Sequence, residues 1–154
     1  MKIAIGADHA GFELKEKIKA RLKEQGVAVE DQGTVSTDSV DYPDFARKVG
    51  DSVASKKADL GVLVCGSGIG MAIAANKVPG VRAANVSTEY EAEKSREHND
   101  ANVVTLGSRI LDDAKAFSIV DTFLKTAFAG GRHQQRVDKI SAIEREDKAA
   151  TSRR

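Results

Sequence analysis

The chain has very little cysteine. Cys65 is its single thiol in 154 residues, so no internal disulfide can form, which fits a reducing compartment. Charge bias is missing too: 24 Lys and Arg face 23 Asp and Glu, for a net charge of +1. Neither nucleic acid nor an anionic membrane is therefore favoured as a global partner. No apolar run approaches the roughly 20 residues of a membrane span, and the opening MKIAIGADHAG carries no signal-type apolar segment. The expectation is a cytoplasmic protein. Repeats, low-complexity segments and a second domain boundary are also lacking, and this length suffices for one domain with its own core.

What the chain does have is alternation. Residues 2–7 read as a buried first strand ending at Asp8-His9-Ala10-Gly11. Leu14, Ile18 and Leu22 recur four apart among Lys and Glu, an amphipathic helix stopped by Gly26. Residues 27–31 form a second strand and 33–41 a polar loop. Asp41-Tyr42-Pro43-Asp44 then opens a helix with Phe45, Val49 and Val53 on one face. The apolar run 60–64 is a third strand, and the alanine-rich segment 69–76 a helix. Pro79-Gly80 turns into a fourth strand over 81–86. Thr88 and Glu91 form a capping box for a polar helix that gives out at Glu97-His98-Asn99-Asp100. A fifth strand covers 103–106, and a long helix 114–128 is closed by Gly130-Gly131. The pattern implies an α/β fold: a single-domain three-layer α/β/α sandwich around a five-stranded parallel Rossmann-like sheet. Residues 132–154 make a charged helical tail whose stripe of Val137, Ile140 and Ile143 is too narrow to hold a free helix. The tail is expected to dock on the body or on a partner subunit. Residues 1–143 then form the domain with its docking helix, and 144–154 a charged terminus, disordered from about Asp147.

Chemistry concentrates on Cys65-Gly66-Ser67-Gly68-Ile69-Gly70, where a strand, a glycine loop and a helix start follow one another. Such a loop aims backbone N–H groups at an anion, and a helix N-terminus favours a thiolate, so Cys65 suits a base or nucleophile. It equally suits a small buried hydrophobe. Ligands of open parallel sheets sit beyond the strand C-termini, which gathers Asp8, His9, Cys65, the glycine loop and Arg109. His98 and Asn99 precede a strand, so spacing alone does not place them at that edge. Asp8 could instead cap a helix, and His98 could terminate its own. The glycines do not fit the dinucleotide fingerprint and no P-loop lysine follows. Asp8, Asp41, Asp44 and Asp100 lack metal-ligand spacing, so metal-free chemistry is favoured. A thiol beside oriented amides, with histidine and arginines, suits proton transfer next to the carbonyl of a phosphorylated sugar.

Seven segments together carry a resemblance. They are Asp8-His9-Ala10-Gly11-Phe12, Asp41-Tyr42-Pro43-Asp44, the Cys65 to Gly70 loop, and Ala75-Asn76-Lys77-Val78-Pro79-Gly80-Val81-Arg82-Ala83. Ser95-Arg96-Glu97-His98-Asn99-Asp100-Ala101-Asn102, Leu106-Gly107-Ser108-Arg109, and Gly130-Gly131-Arg132-His133 with Arg136 complete them. In this order they resemble the RpiB/LacAB sugar-phosphate isomerase family, in its type B ribose-5-phosphate isomerase branch. The resemblance implies cofactor-free interconversion of ribose 5-phosphate and ribulose 5-phosphate. It implies Cys65 as the base, His98 as the ring-opening group, and the amides of Gly66, Ser67, Gly68, Ile69 and Gly70 around an enediolate, with the Ser67 hydroxyl relaying a proton. Asp8, His9, Tyr42 and Asn99 would contact the substrate, and Arg109, Arg132 and Arg136 its phosphate. A homodimer or dimer of dimers with shared active sites is implied as well. Many members have threonine at Ser67, and a glutamate-using branch would carry its base at Met71, so this chain reads as a cysteine-type enzyme. Allose 6-phosphate, galactose 6-phosphate and a non-catalytic phosphosugar-binding module stay open as alternatives.

Overall fold

The computed structural model describes residues 1–152. Five parallel strands, β1 (Lys2–Ala7), β2 (Ala28–Asp31), β3 (Leu60–Cys65), β4 (Ala83–Asn85) and β5 (Val103–Gly107), form one sheet in the order β2-β1-β3-β5-β4. Helices α1 (Phe12–Glu24), α4 (Glu89–Asn99) and α5 (Asp113–Lys125) cover one face, and α2 (Tyr42–Ala54) and α3 (Ile69–Ala75) the other. Strand parity explains the two cores. Ile3, Ile5, Val62, Val64, Val104 and Leu106 meet Leu14, Ile18, Leu22, Ile119 and Phe123 on the first face. Ala4, Leu63, Cys65 and Val103 meet Val49, Val53 and Met71 on the second. Each large apolar side chain removed from water this way contributes about 1.5–3 kcal/mol. The three-layer reading of the sequence is the observed architecture.

Boundaries differ where tertiary contacts override local pattern. The fourth strand shrinks to Ala83–Asn85 because it is an edge strand whose open side is taken by a side chain. Asn76 accepts from Ala83 N–H at 2.8 Å and donates to Ala83 O at 2.9 Å, standing in for a neighbouring strand. Helix α5 ends at Lys125 rather than 128, since Arg96 Nε donates to Thr126 O (3.1 Å) and Ala129 N–H donates to Glu97 O (3.1 Å). These bonds draw the connection onto α4. The cap of α4 forms as read: Thr88 Oγ1 accepts from Glu91 N–H at 3.1 Å, while the Glu91 carboxylate accepts from Ser87 N–H at 3.2 Å.

Helix α6 (Arg132–Ser152) follows. Of its apolar stripe Val137 is buried, whereas Ile140 and Ile143 remain 46% and 60% exposed. Docking on the body therefore uses one residue of the three. The side chains of 147–151 and residues 153–154 lie outside the described residues, and the expected terminal disorder falls there.

Candidate active site

Strand β3 delivers Cys65 to the C-terminal edge of the sheet with its side chain on the α2–α3 face, 5% exposed. The backbone reverses at Gly68 (φ +81°), which places the Gly68 N–H 3.1 Å from Cys65 Sγ as a donor. Thr105 Oγ1, fully buried on β5, donates to Gly68 O at 2.8 Å and locks the turn. Ser67 Oγ accepts from Ile69 N–H at 3.2 Å. Two amides of the glycine run are thus engaged inside the loop.

Other expected residues surround the loop. The Tyr42 ring lies against Gly70, where a Cβ would come within 2.7 Å of its Cζ. Arg109 covers Gly66, whose Cβ would sit 2.9 Å from the guanidinium Nη1. Ser108 and Arg109 N–H groups donate to Cys65 O (2.8 Å) and Gly66 O (3.0 Å), strapping the β5 loop to the β3 loop. Ser108 Oγ reaches on to Ala10 O at 2.8 Å and so ties in the β1 loop. Its position in the Leu106-Gly107-Ser108-Arg109 segment was the only sequence signal for this role. Asp8 is 6% exposed and accepts from Gly11 N–H at 3.0 Å, so it does brace the start of α1. His9 Nδ1 accepts from Val40 N–H at 3.2 Å, which leaves Nε2 as the protonated nitrogen of the neutral ring.

His98, Asn99, Arg132 and Arg136 are elsewhere. Cys65 pairs with Gly107 at the end of β5, whereas Asn99 is held at its beginning, where Asn102 N–H donates to Arg82 O. From Val103 to Gly107 the strand climbs roughly 13 Å at about 3.3 Å per residue. One copy of the chain therefore keeps these two groups of expected residues apart, one toward each end of the sheet.

The group around His98 is held by a dense set of hydrogen bonds. Asp100 takes a left-handed turn (φ +46°) after α4. Arg82 Nε donates to Asn99 O (3.1 Å) and Asp100 O (3.0 Å). Arg96 Nη1 donates to Asp100 Oδ1 (3.0 Å) and Ala101 O (2.6 Å). These two arginines satisfy the carbonyls that a helix end leaves open. His133, from the first turn of α6, stacks on His98 with ring centroids 4.3 Å apart and planes 12° apart. It is held below the ordinary histidine range, first by burial and then by the positive charge of His98, Arg132 and Arg136, with Glu97 pulling the other way. Arg132 and Arg136 are exposed beside it. Among the described residues no group of three or more His, Cys, Asp and Glu side chains converges as a metal site.

Comparison with known proteins gives the family and the fold. The family model described as Ribose/Galactose Isomerase matches residues 3–140. Ribose-5-phosphate isomerase B of Escherichia coli is 51% identical over 93% of this chain and 96% of its own. The structure of ribose-5-phosphate isomerase B from Clostridium thermocellum superposes with a TM-score of 0.94 at 53% identity, covering 95% and 99% of the two chains. That of the Mycoplasma genitalium enzyme, which holds bound ribulose-5-phosphate, superposes with a TM-score of 0.91 at 48% identity, covering 94% and 97%.

Proposed function

The chain belongs to the ribose/galactose isomerase family, and on that premise we infer that it interconverts D-ribose 5-phosphate and D-ribulose 5-phosphate without a cofactor. The observation that carries the reading is Cys65 Sγ, bonded by Gly68 N–H at the mouth of the glycine loop, beside the Arg109 guanidinium.

The chemistry follows from what each group can exchange. His98 moves a proton at the ring oxygen, opening the sugar to its aldehyde. Cys65 as thiolate takes the proton from C2, and the electrons pass to O1 as an enediolate. The amides of the Gly66 to Gly70 run stabilise that charge. The Ser67 hydroxyl relays a proton from O2 to O1, and the Cys65 thiol returns its proton to C1, giving the ketose. Asp8, His9, Tyr42 and Asn99 orient the sugar. Arg109, Arg132 and Arg136 hold the phosphate, each able to present a planar pair of donors.

Because Cys65 and His98 sit at opposite ends of one copy, the working site needs two. In this reading a second copy brings His98, Asn99, Arg132 and Arg136 to the glycine loop of the first, so the protein is a homodimer or a dimer of dimers. Exposed apolar side chains support an interface: Ile69 and Ile73 on α3, at 56% and 60% exposure, and Ile140 and Ile143 on α6. Its single thiol, used in chemistry, fits a cytoplasmic location.

The test is an isomerase assay on chelator-treated protein offered ribose 5-phosphate, allose 6-phosphate and galactose 6-phosphate, with Cys65→Ala as control. The expected result is pentose turnover that survives chelation, and a loss of at least about 10³-fold in kcat for the variant with phosphosugar binding retained. Preference for a hexose phosphate would keep the mechanism and replace the substrate. Near-normal turnover by Cys65→Ala would remove the thiol base.

A further inference from the structure

His133 has no role in the chemistry above, yet it makes the only stacked ring contact among the described residues. Its approach to His98 is built from both sides. On α4, Arg96 and Arg82 fix the turn that ends the helix one residue after His98. On the α5–α6 connection, Arg96 holds Thr126 O and Glu97 O holds Ala129 N–H. The same arginine therefore anchors the two segments that carry the two rings. Near-parallel rings with centroids 4.3 Å apart cover one face of His98 and resist tilting of its plane.

We propose that His133 is a positioning residue for the ring-opening step: its imidazole fixes the plane of His98 so that a His98 nitrogen meets the furanose ring oxygen. This rests on the reading of His98 as the ring-opening group. Charge agrees with the geometry. His133 is surrounded by His98 and Glu97 from α4 and by Arg132 and Arg136 from α6, and burial with the positive charge around it makes it harder to protonate than an ordinary histidine. A neutral ring can cover His98 in either of its protonation states, whereas two stacked imidazolium rings would repel. As the pH falls and His133 takes up a proton, the stack loosens and ring opening suffers before proton transfer at Cys65 does.

The experiment separates those two steps with full-length His133→Ala, His133→Phe and His98→Asn. Turnover of ribose 5-phosphate requires ring opening. Uptake of solvent deuterium at C1 of ribulose 5-phosphate, which is open-chain, requires the Cys65 step alone. His133→Ala is expected to lower kcat on ribose 5-phosphate on the order of tenfold while deuterium uptake stays within about twofold. His133→Phe keeps a flat ring and should recover most of the loss, and its decline at acid pH should be shallower, since one titrating group is gone. Equal losses in both readouts for His133→Ala, or a Phe variant no better than Ala, would overturn the proposal. His98→Asn tells the two failures apart. If it shows the split and His133→Ala does not, the positioning role alone falls. If His98→Asn loses both readouts equally, the ring-opening reading falls and takes the proposal with it.

Discussion

Gly68 and Ser67 show how far single residues shape the thiol's surroundings. Gly68 turns with φ +81°, and a Cβ there would lie 2.3 Å from Asn85 Oδ1 and 2.9 Å from the Leu106 carbonyl carbon. The first contact can relax, but the second is backbone in the middle of the fold. Gly68→Ala is expected to cost about 2–4 kcal/mol from the left-handed conformation and the overlap together. It should also displace the N–H that faces Cys65 Sγ, so kcat falls even under conditions where the variant is folded. Urea unfolding and steady-state kinetics on one preparation check both. Ser67 is a milder case, because the role proposed for it needs only a hydroxyl. Ser67→Thr should keep kcat within about threefold, whereas Ser67→Ala should lower it by about 10–100-fold with a smaller change in KM. A uniform loss in both variants would mean that the loop's shape, not the hydroxyl, matters there.

Among the elements, α1 carries the least expected interaction. Lys15 is 1% exposed and donates to Asp31 Oδ1 (2.8 Å) at the end of β2 and to Thr34 O (2.8 Å). Thr34 N–H in turn donates to Ala7 O at 2.8 Å, at the end of β1 that leads to Asp8 and His9. Burial pushes the Asp31 carboxyl up, but hydrogen bonds from Lys15, Lys19 and Gly33 N–H outweigh it and hold the group below the usual aspartate range. A lowered folded value means that this stabilisation is present above the ordinary aspartate pKa and is lost as pH falls through the folded one. Lys15→Met should therefore destabilise the protein at neutral pH by on the order of 2 kcal/mol and flatten the acid loss of stability. Denaturant unfolding at pH 7 and at several points below pH 4 measures both. Nothing in the sequence announced this lysine, which sits beside Leu14 among residues that read as a solvated helix face. Periodicity reports which face is apolar, not that a charge at its border finds a carboxylate sixteen residues on. The strands β1 and β3 were legible because they are apolar runs ended by glycine or polar residues. The glycine loop was legible because its composition demands a turn. The limits of β4 and α5 were not, since they depend on Asn76 and Arg96 reaching across from other elements. His98 and Asn99 were readable as reactive types but not as belonging to the far end of the sheet, which only strand order and register decide.

At the scale of the whole molecule, the proposed sharing of each site between two copies would make assembly a condition of activity, and it can be tested without a structure of the assembly. In a dimer each site would take its thiol from one copy and its ring-opening histidine from the other. Cys65→Ala and His98→Asn are each expected to be inactive on ribose 5-phosphate alone. A mixed dimer has one site with both defects and one site with neither. Random reassociation makes half of the dimers mixed, so co-expressing the two variants should restore about a quarter of wild-type activity. Deuterium uptake at C1 of ribulose 5-phosphate sharpens the result. The His98→Asn homodimer should already support it, since Cys65 is intact in both copies, whereas the Cys65→Ala homodimer should not. If every site were contained in one copy, every site in the mixture would lack one group, and no turnover of ribose 5-phosphate would return. Restored activity would also have to disappear when the exposed Ile140 and Ile143 of α6 are changed to aspartate and dimers no longer form, because Arg132, His133 and Arg136 are carried on that helix. Activity that persisted in such a monomer would place His98 within reach of its own Cys65, against the roughly 13 Å set by β5.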